Sequence, residues 1–228
     1  MTGNKLAMIV GDGPLAQAVA TEFSSLPCDI VFGADPQSES KLNEFSATLK
    51  KTKPITTHFV GLDFSQQAAC EAALTKNFPL LQQVSVLVIA PEPEKERASL
   101  LNFNWENWSN AFDLKLKGAL YTARTIAPQM IQKREGYIFL VSSTAGRWPE
   151  SGLGGDSAAH SGMNALAEVL RMDMFKTQVR VTLIAPPPPS EGGVNVQDIA
   201  RTALWTYRRP KRVNIQEIVL TDDHRRPN

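Results

Sequence analysis

Long apolar runs are missing from this sequence. No stretch approaches the ~18 apolar residues of a membrane-spanning helix, so no membrane partner is expected. Charge of one sign is missing too: 24 Lys and Arg stand against 23 Asp and Glu, a formal net charge of +1. A chain so balanced has no global field to pull it toward nucleic acid or an acidic surface. Cysteine is scarce. Cys28 and Cys70 fall in a predicted strand and a predicted helix, and read as buried thiols rather than a disulfide. That fits a cytoplasmic location. The start lacks a charged region followed by an apolar stretch ending in small residues, so no signal peptide is expected. No internal repeat and no metal-ligand cluster is visible. What remains is ordinary: 228 residues, 43% hydrophobic and 21% charged, enough for one domain with a full core.

The most informative stretch lies near the start. Leu6 to Val10 is a short apolar run, as in a strand buried on both faces. Gly11 and Gly13 follow at once, and Pro14 stands where a helix would begin and its missing N–H costs nothing. Leu15, Ala18, Val19, Phe23 and Leu26 continue at helical spacing. Gly11-x-Gly13-x-x-Ala16 between a strand and a helix is the dinucleotide fingerprint in its Ala-ending form. Gly11 permits the tight turn, Gly13 lets the backbone approach a pyrophosphate, and Ala16 allows close helix packing. Pro14 and Leu15 begin the helix whose N-terminus would face the phosphates. A bare packing turn is the alternative.

Further strands are expected at Cys28–Gly33, Ile55–Val60, Val84–Ile89, Tyr137–Val141, Val179–Ile184 and Val213–Leu220. Between them lie helical patterns. One carries Leu42, Phe45 and Leu49; one runs from about Trp105 to Lys133 with Gly136 as C-cap; others span about Ser157–Lys176 and Val196–Tyr207. Ser65 is a helix N-cap candidate, and Thr221–Asn228 reads as a frayed tail. Alternating strands and helices imply an α/β, doubly wound, seven-stranded and mainly parallel sheet with helices on both faces. Its ligand crevice would lie beyond the carboxyl ends of the strands. There the chain places the Gly11 turn, Asp35, Asp63, the Ala90–Pro91 loop, Ser143 and the Pro186 loop. Asp35 follows the second strand, where an acid accepts ribose hydroxyls and repels a 2′-phosphate; that favours NAD(H) over NADP(H). Asp35-Pro36 is also ordinary turn chemistry.

Four stretches carry a family likeness: the Gly11 turn, Leu116–Met130, Gly136–Gly146 and Val179–Pro186. Together they resemble the short-chain dehydrogenase/reductase family over nearly the whole chain. The resemblance implies a Rossmann-type fold, a dinucleotide, a small carbonyl or alcohol substrate, and a homo-oligomer paired through two long helices. Trp105, Leu114 and Leu120 on the first, with Met163, Met172 and Met174 on the second, are apolar beyond one core-facing stripe. The family's reaction uses Asn, Ser, Tyr and Lys. Ser143 matches the Ser. Lys115 stands in the place of the Asn, Asp156 in that of the Tyr, and His160 in that of the Lys. In the fourth-strand loop, Ile89-Ala90-Pro91-Glu92 replaces Asn-Asn-Ala-Gly, and Pro186-Pro187 replaces Pro-Gly. Asp156 and His160 lie i and i+4, so they can pair. Three uses of the set stay open: His160 as general acid of a modified reductase, Ser143 with His160 as a hydrolytic pair, or a capping pair without chemistry. Two functions follow, an unusual oxidoreductase or a nucleotide- or partner-binding protein that has lost the reaction.

Overall fold

The computed structural model describes residues 5–92, 97–102, 104–188 and 193–222. Seven strands form one sheet in the order β3-β2-β1-β4-β5-β6-β7. They are β1 (Lys5–Val10), β2 (Cys28–Ala34), β3 (Thr57–Gly61), β4 (Val84–Ile89), β5 (Gly136–Val141), β6 (Val179–Ala185) and β7 (Glu217–Val219). Every pairing is parallel. The order reverses between β1 and β4, which opens a crevice at their carboxyl ends.

The helices are α1 (Pro14–Phe23), α2 (Glu39–Thr52), α3 (Gln67–Lys76), α4 (Phe78–Leu81), α5 (Trp105–Phe112), α6 (Gly118–Lys133), α7 (Gly154–Asp173) and α8 (Val196–Tyr207). The side-chain alternation of the strands builds two cores. On one face Met8, Leu87, Ile138 and Leu140 meet Leu74 of α3, Ile126 and Met130 of α6, and Met163 of α7. On the other, Ile9, Phe32, Val88 and Phe139 meet Val19 and Phe23 of α1, Leu42 of α2 and Leu204 of α8. Cys28 and Cys70 are both buried free thiols. Burial pushes their pKa values up to about 12 and about 11.

Several expectations change. The long helix is not continuous in type: a π turn, Asp113–Lys117, joins α5 to α6. Gly136 is not its cap; Arg134, left-handed at φ 52°, closes α6, and Gly136 opens β5. Ser65 does not cap α3, whose N-cap is Gln66; instead Ser65 donates to the Asp63 carboxylate. β7 is only three residues long, because Val213 to Gln216 run as irregular chain beside β6. Met163 and Met174 belong to the core and cannot serve an outer face. Trp105, Leu120 and Met172 are exposed as expected. The tail beyond Asp222 lies outside the described residues.

Candidate functional site

The glycine turn sits at the switch point. Gly11 has φ +137°, and a Cβ there would lie 2.3 Å from the Ala90 carbonyl oxygen, so only glycine fits. Ala90 is held in turn by its N–H to Val10 O at 2.8 Å. Gly13 is the N-cap of α1 and Pro14 its first residue. Leu15 is buried, and its N–H donates to Glu92 Oε1 at 2.9 Å. A Cβ on Gly13 would come within 2.1 Å of the Glu92 Cγ and Cδ. The space that the second glycine keeps open therefore holds the Glu92 side chain.

The neighbouring acids are engaged locally. Asp12 accepts from Ser38 Oγ. Asp35 is exposed and its Oδ1 caps a 3-10 turn through Gln37 N–H at 2.8 Å, which is the turn role. Asp63 Oδ1 accepts from Ser65 N–H at 3.0 Å. The Pro186 carbonyl accepts from Thr144 N–H at 2.8 Å and so braces the loop after β5.

The second half of the site is a buried chain of polar groups. The π turn and the first turns of α7 face each other, and Lys115 Nζ forms an ion pair with Asp156 Oδ1. Lys115, Asp156 and His160 are 3%, 4% and 3% exposed, so the pair is cut off from water. Asp156 Oδ2 stands 3.5 Å from His160 Nε2, beyond a good hydrogen bond. His160 Nδ1 is 3.3 Å from Ser142 Oγ, which donates to Asn164 Oδ1 at 2.6 Å. Burial, reinforced by the Lys115 cation, lowers the His160 pKa to about 3. The imidazole is neutral at pH 7.

Lys115, Asp156 and His160 thus do converge, while Ser143 is engaged through its hydroxyl within its own turn. Its Oγ accepts from Ala145 N–H at 3.1 Å, closing the 3-10 turn Thr144–Gly146. The serine that meets His160 is Ser142. Strand parity carries that signal: Ile138 and Leu140 face α7, so Ser142 shares their face and Ser143 does not. Glu92 and Asn164 were also missed. The acid of the Pro91-Glu92-Pro93 stretch was visible, but the partner it caps was not.

At one end of this crevice lies the glycine turn on which a dinucleotide would rest. The space beside Gly13 and the Leu15 N–H are the features a pyrophosphate would use there, and the Glu92 side chain holds both. At the positions aligned with the family's Asn, Tyr and Lys stand Lys115, Asp156 and His160, the first two joined in a buried ion pair. Among the described residues no group of His, Cys, Asp and Glu could hold a metal, and no helix is long and apolar enough to cross a membrane.

Residues 5–195 match the model of the short chain dehydrogenase family. An uncharacterized oxidoreductase of Staphylococcus epidermidis is 22% identical over 95% of this chain and 96% of its own length. One from Staphylococcus aureus is 26% identical, again over 95% and 96%. Among solved structures, Escherichia coli serine dehydrogenase superposes with TM-score 0.86 at 22% identity, covering 97% of this chain and all of its own. An alcohol dehydrogenase from Thermococcus sibiricus, complexed with 5-hydroxy-NADP, gives 0.85 at 19%, covering 98% and 99%. The glycine turn, the all-parallel sheet and these matches agree: the chain belongs to the short-chain dehydrogenase family and has its NAD(P)-binding fold.

Proposed function

We propose that the protein binds a nicotinamide dinucleotide but does not carry out its family's alcohol–ketone hydride transfer, and that it acts as a nucleotide-responsive binding protein. The observation that carries this is the buried Lys115–Asp156 pair. When bound, the dinucleotide would supply the hydride chemistry. The protein must then offer an acid beside the carbonyl oxygen as hydride arrives. Asp156 is a carboxylate already neutralised by a cation, and neutral His160 lies behind it. Neither places a proton at a substrate oxygen near pH 7. A missing donor of this kind costs about 3–4 kcal/mol of transition-state stabilisation.

The pyrophosphate would rest on Gly11 to Leu15. Asp35, at the end of β2, favours NAD(H) over NADP(H), because a carboxylate repels a 2′-phosphate. Trp105, Leu120 and Met172, at 77%, 46% and 65% exposure, support a homo-oligomer through the two long helices; light scattering should then give a mass well above 25 kDa.

The test is direct. NAD(H) titration should quench the fluorescence of the four tryptophans, with no steady turnover of a broad carbonyl panel. Lys115→Asn, Asp156→Tyr and His160→Lys combined should restore turnover, each part alone falling short. Wild-type turnover that survives Asp156→Ala would refute the reading.

A further inference from the structure

The seating of Glu92 has no counterpart in the sequence likeness. β4 ends at Ile89, Ala90 is clamped to β1, and the chain then passes directly over the glycine turn. α1 has no side-chain cap on its N-cap residue and no acid in its first turn. The positive end of its dipole is therefore left to a group from elsewhere. Glu92 supplies it from 77 residues away, through Oε1 on the Leu15 N–H. The clearance around Gly13 is an independent observation. The volume beside that glycine is filled by Glu92 carbons as well as oxygen.

Resting on the proposed dinucleotide binding, we infer that Glu92 is an internal competitor for the cofactor's phosphates. The carboxylate holds the N–H and the space that a pyrophosphate needs. Two anions cannot share one donor at contact distance, because nothing between them screens the repulsion. Asp12, the residue between the two glycines, adds further negative charge to the turn. Binding thus proceeds by exchange: the phosphate takes the Leu15 N–H and the Glu92 carboxylate is expelled into solvent. The apparent affinity is the intrinsic affinity multiplied by the fraction of molecules in which Glu92 has left. Expulsion needs only rotation of the Glu92 side chain, so occupancy is reported at Glu92 itself. This makes Glu92 a regulatory residue of the site and the site a switch set by dinucleotide concentration.

The experiment is calorimetric titration of wild type, Glu92→Ala and Glu92→Gln with NADH and, separately, with inorganic pyrophosphate. Glu92→Ala should bind both about tenfold more tightly, as for a seat that the carboxylate fills ~90% of the time. Glu92→Gln should fall between, since its amide oxygen can still accept from Leu15 but carries no charge. It also serves if removing the whole side chain harms folding. Equal affinities in all three proteins would overturn the inference and leave the dinucleotide reading standing. Tighter pyrophosphate binding by Glu92→Ala with no NADH binding would support the inference and sink that reading. Binding of neither probe by any of the three would end both.

Discussion

The two ends of the sheet face solvent with opposite chemistry. At the carboxyl ends of the strands stand Asp12, Asp35, Asp63 and Glu92, with Asp156 buried behind them. At the amino ends a cavity of about 930 Å3 is lined by Lys5, Arg134, Arg171, Arg180, Lys211 and Arg212, with Glu135 among them. The segregation follows from the fold. In a parallel sheet the crossover helices run back against the strands. Their N-termini meet the carboxyl ends and attract anions, and their C-termini meet the amino ends and attract cations. The same field that suits a cofactor's phosphates suits the protein's own carboxylates, and here the carboxylates hold the place. The basic end is braced in a comparable way. Arg180 stacks on Tyr137 at 4.1 Å and donates to the carbonyls of Tyr207, Arg209 and Val213. Lys5 and Lys211 both reach Glu135, which lowers the Glu135 pKa. Much of the charge at each end is thus committed within the molecule.

The comparison is sharpest at the buried pair. Lys115→Ala or Asp156→Ala alone should cost about 3–5 kcal/mol, since each leaves an unpaired charge out of water. Lys115→Met with Asp156→Leu should recover most of that loss. Urea unfolding of the four proteins checks it, and single variants as stable as wild type would show that the pair is hydrated.

Acid should weaken the same wall next. The His160 pKa is depressed from an ordinary 6.5 to about 3. The unfolded chain therefore takes up the proton first, and stability present above pH 6.5 is lost as pH falls toward 3. The expected slope is about 1.4 kcal/mol per pH unit below 6.5. Unfolding at pH 7 and pH 5 should show it in the wild type and not in His160→Gln.

Effects at the basic end should be smaller. Arg180→Met removes a stacked cation and its bonds to three carbonyls, and should cost about 1–2 kcal/mol. Lys211→Ala, an exposed ion pair, should stay within about 0.5 kcal/mol. A larger loss there than at Lys115 would invert the comparison.

Near-neighbour chemistry made much of this legible. Leu6 to Val10, the two glycines and Pro14 give strand, turn and helix from local rules alone. The helical spacing of Asp156 and His160 placed them on one face. What stayed hidden depends on contacts far along the chain. Lys115 could be aligned with a family position, yet nothing in the spacing told that it would bind Asp156, 41 residues on, more tightly than His160 does. Ser142 and Ser143 look alike in a list of residues, and only the packing of α7 on one side of β5 separates them. Glu92 stood only as a changed residue of the fourth-strand loop, because its partner is a backbone N–H, which leaves no mark in side-chain identity.

The π turn at Asp113–Lys117 bears on the evolutionary freedom of the chain. An α-helix advances about 100° per residue, so a continuous one fixes the phase of both its ends. Here the end in α5 sets Trp108 against Gly154 and Gly155, with a hypothetical Gly155 Cβ 3.2 Å from the indole. The end in α6 sets Ala119, Ala123, Ile126 and Met130 on the sheet. The wider turn works as a vernier between two seams that no single helical phase would serve. A one-residue deletion within it would restore a regular helix and misalign one seam, whereas a substitution that keeps the length would leave both in step. Within this segment spacing and charge are separate requirements: its length keeps the two seams in phase, and Lys115 inside it holds Asp156.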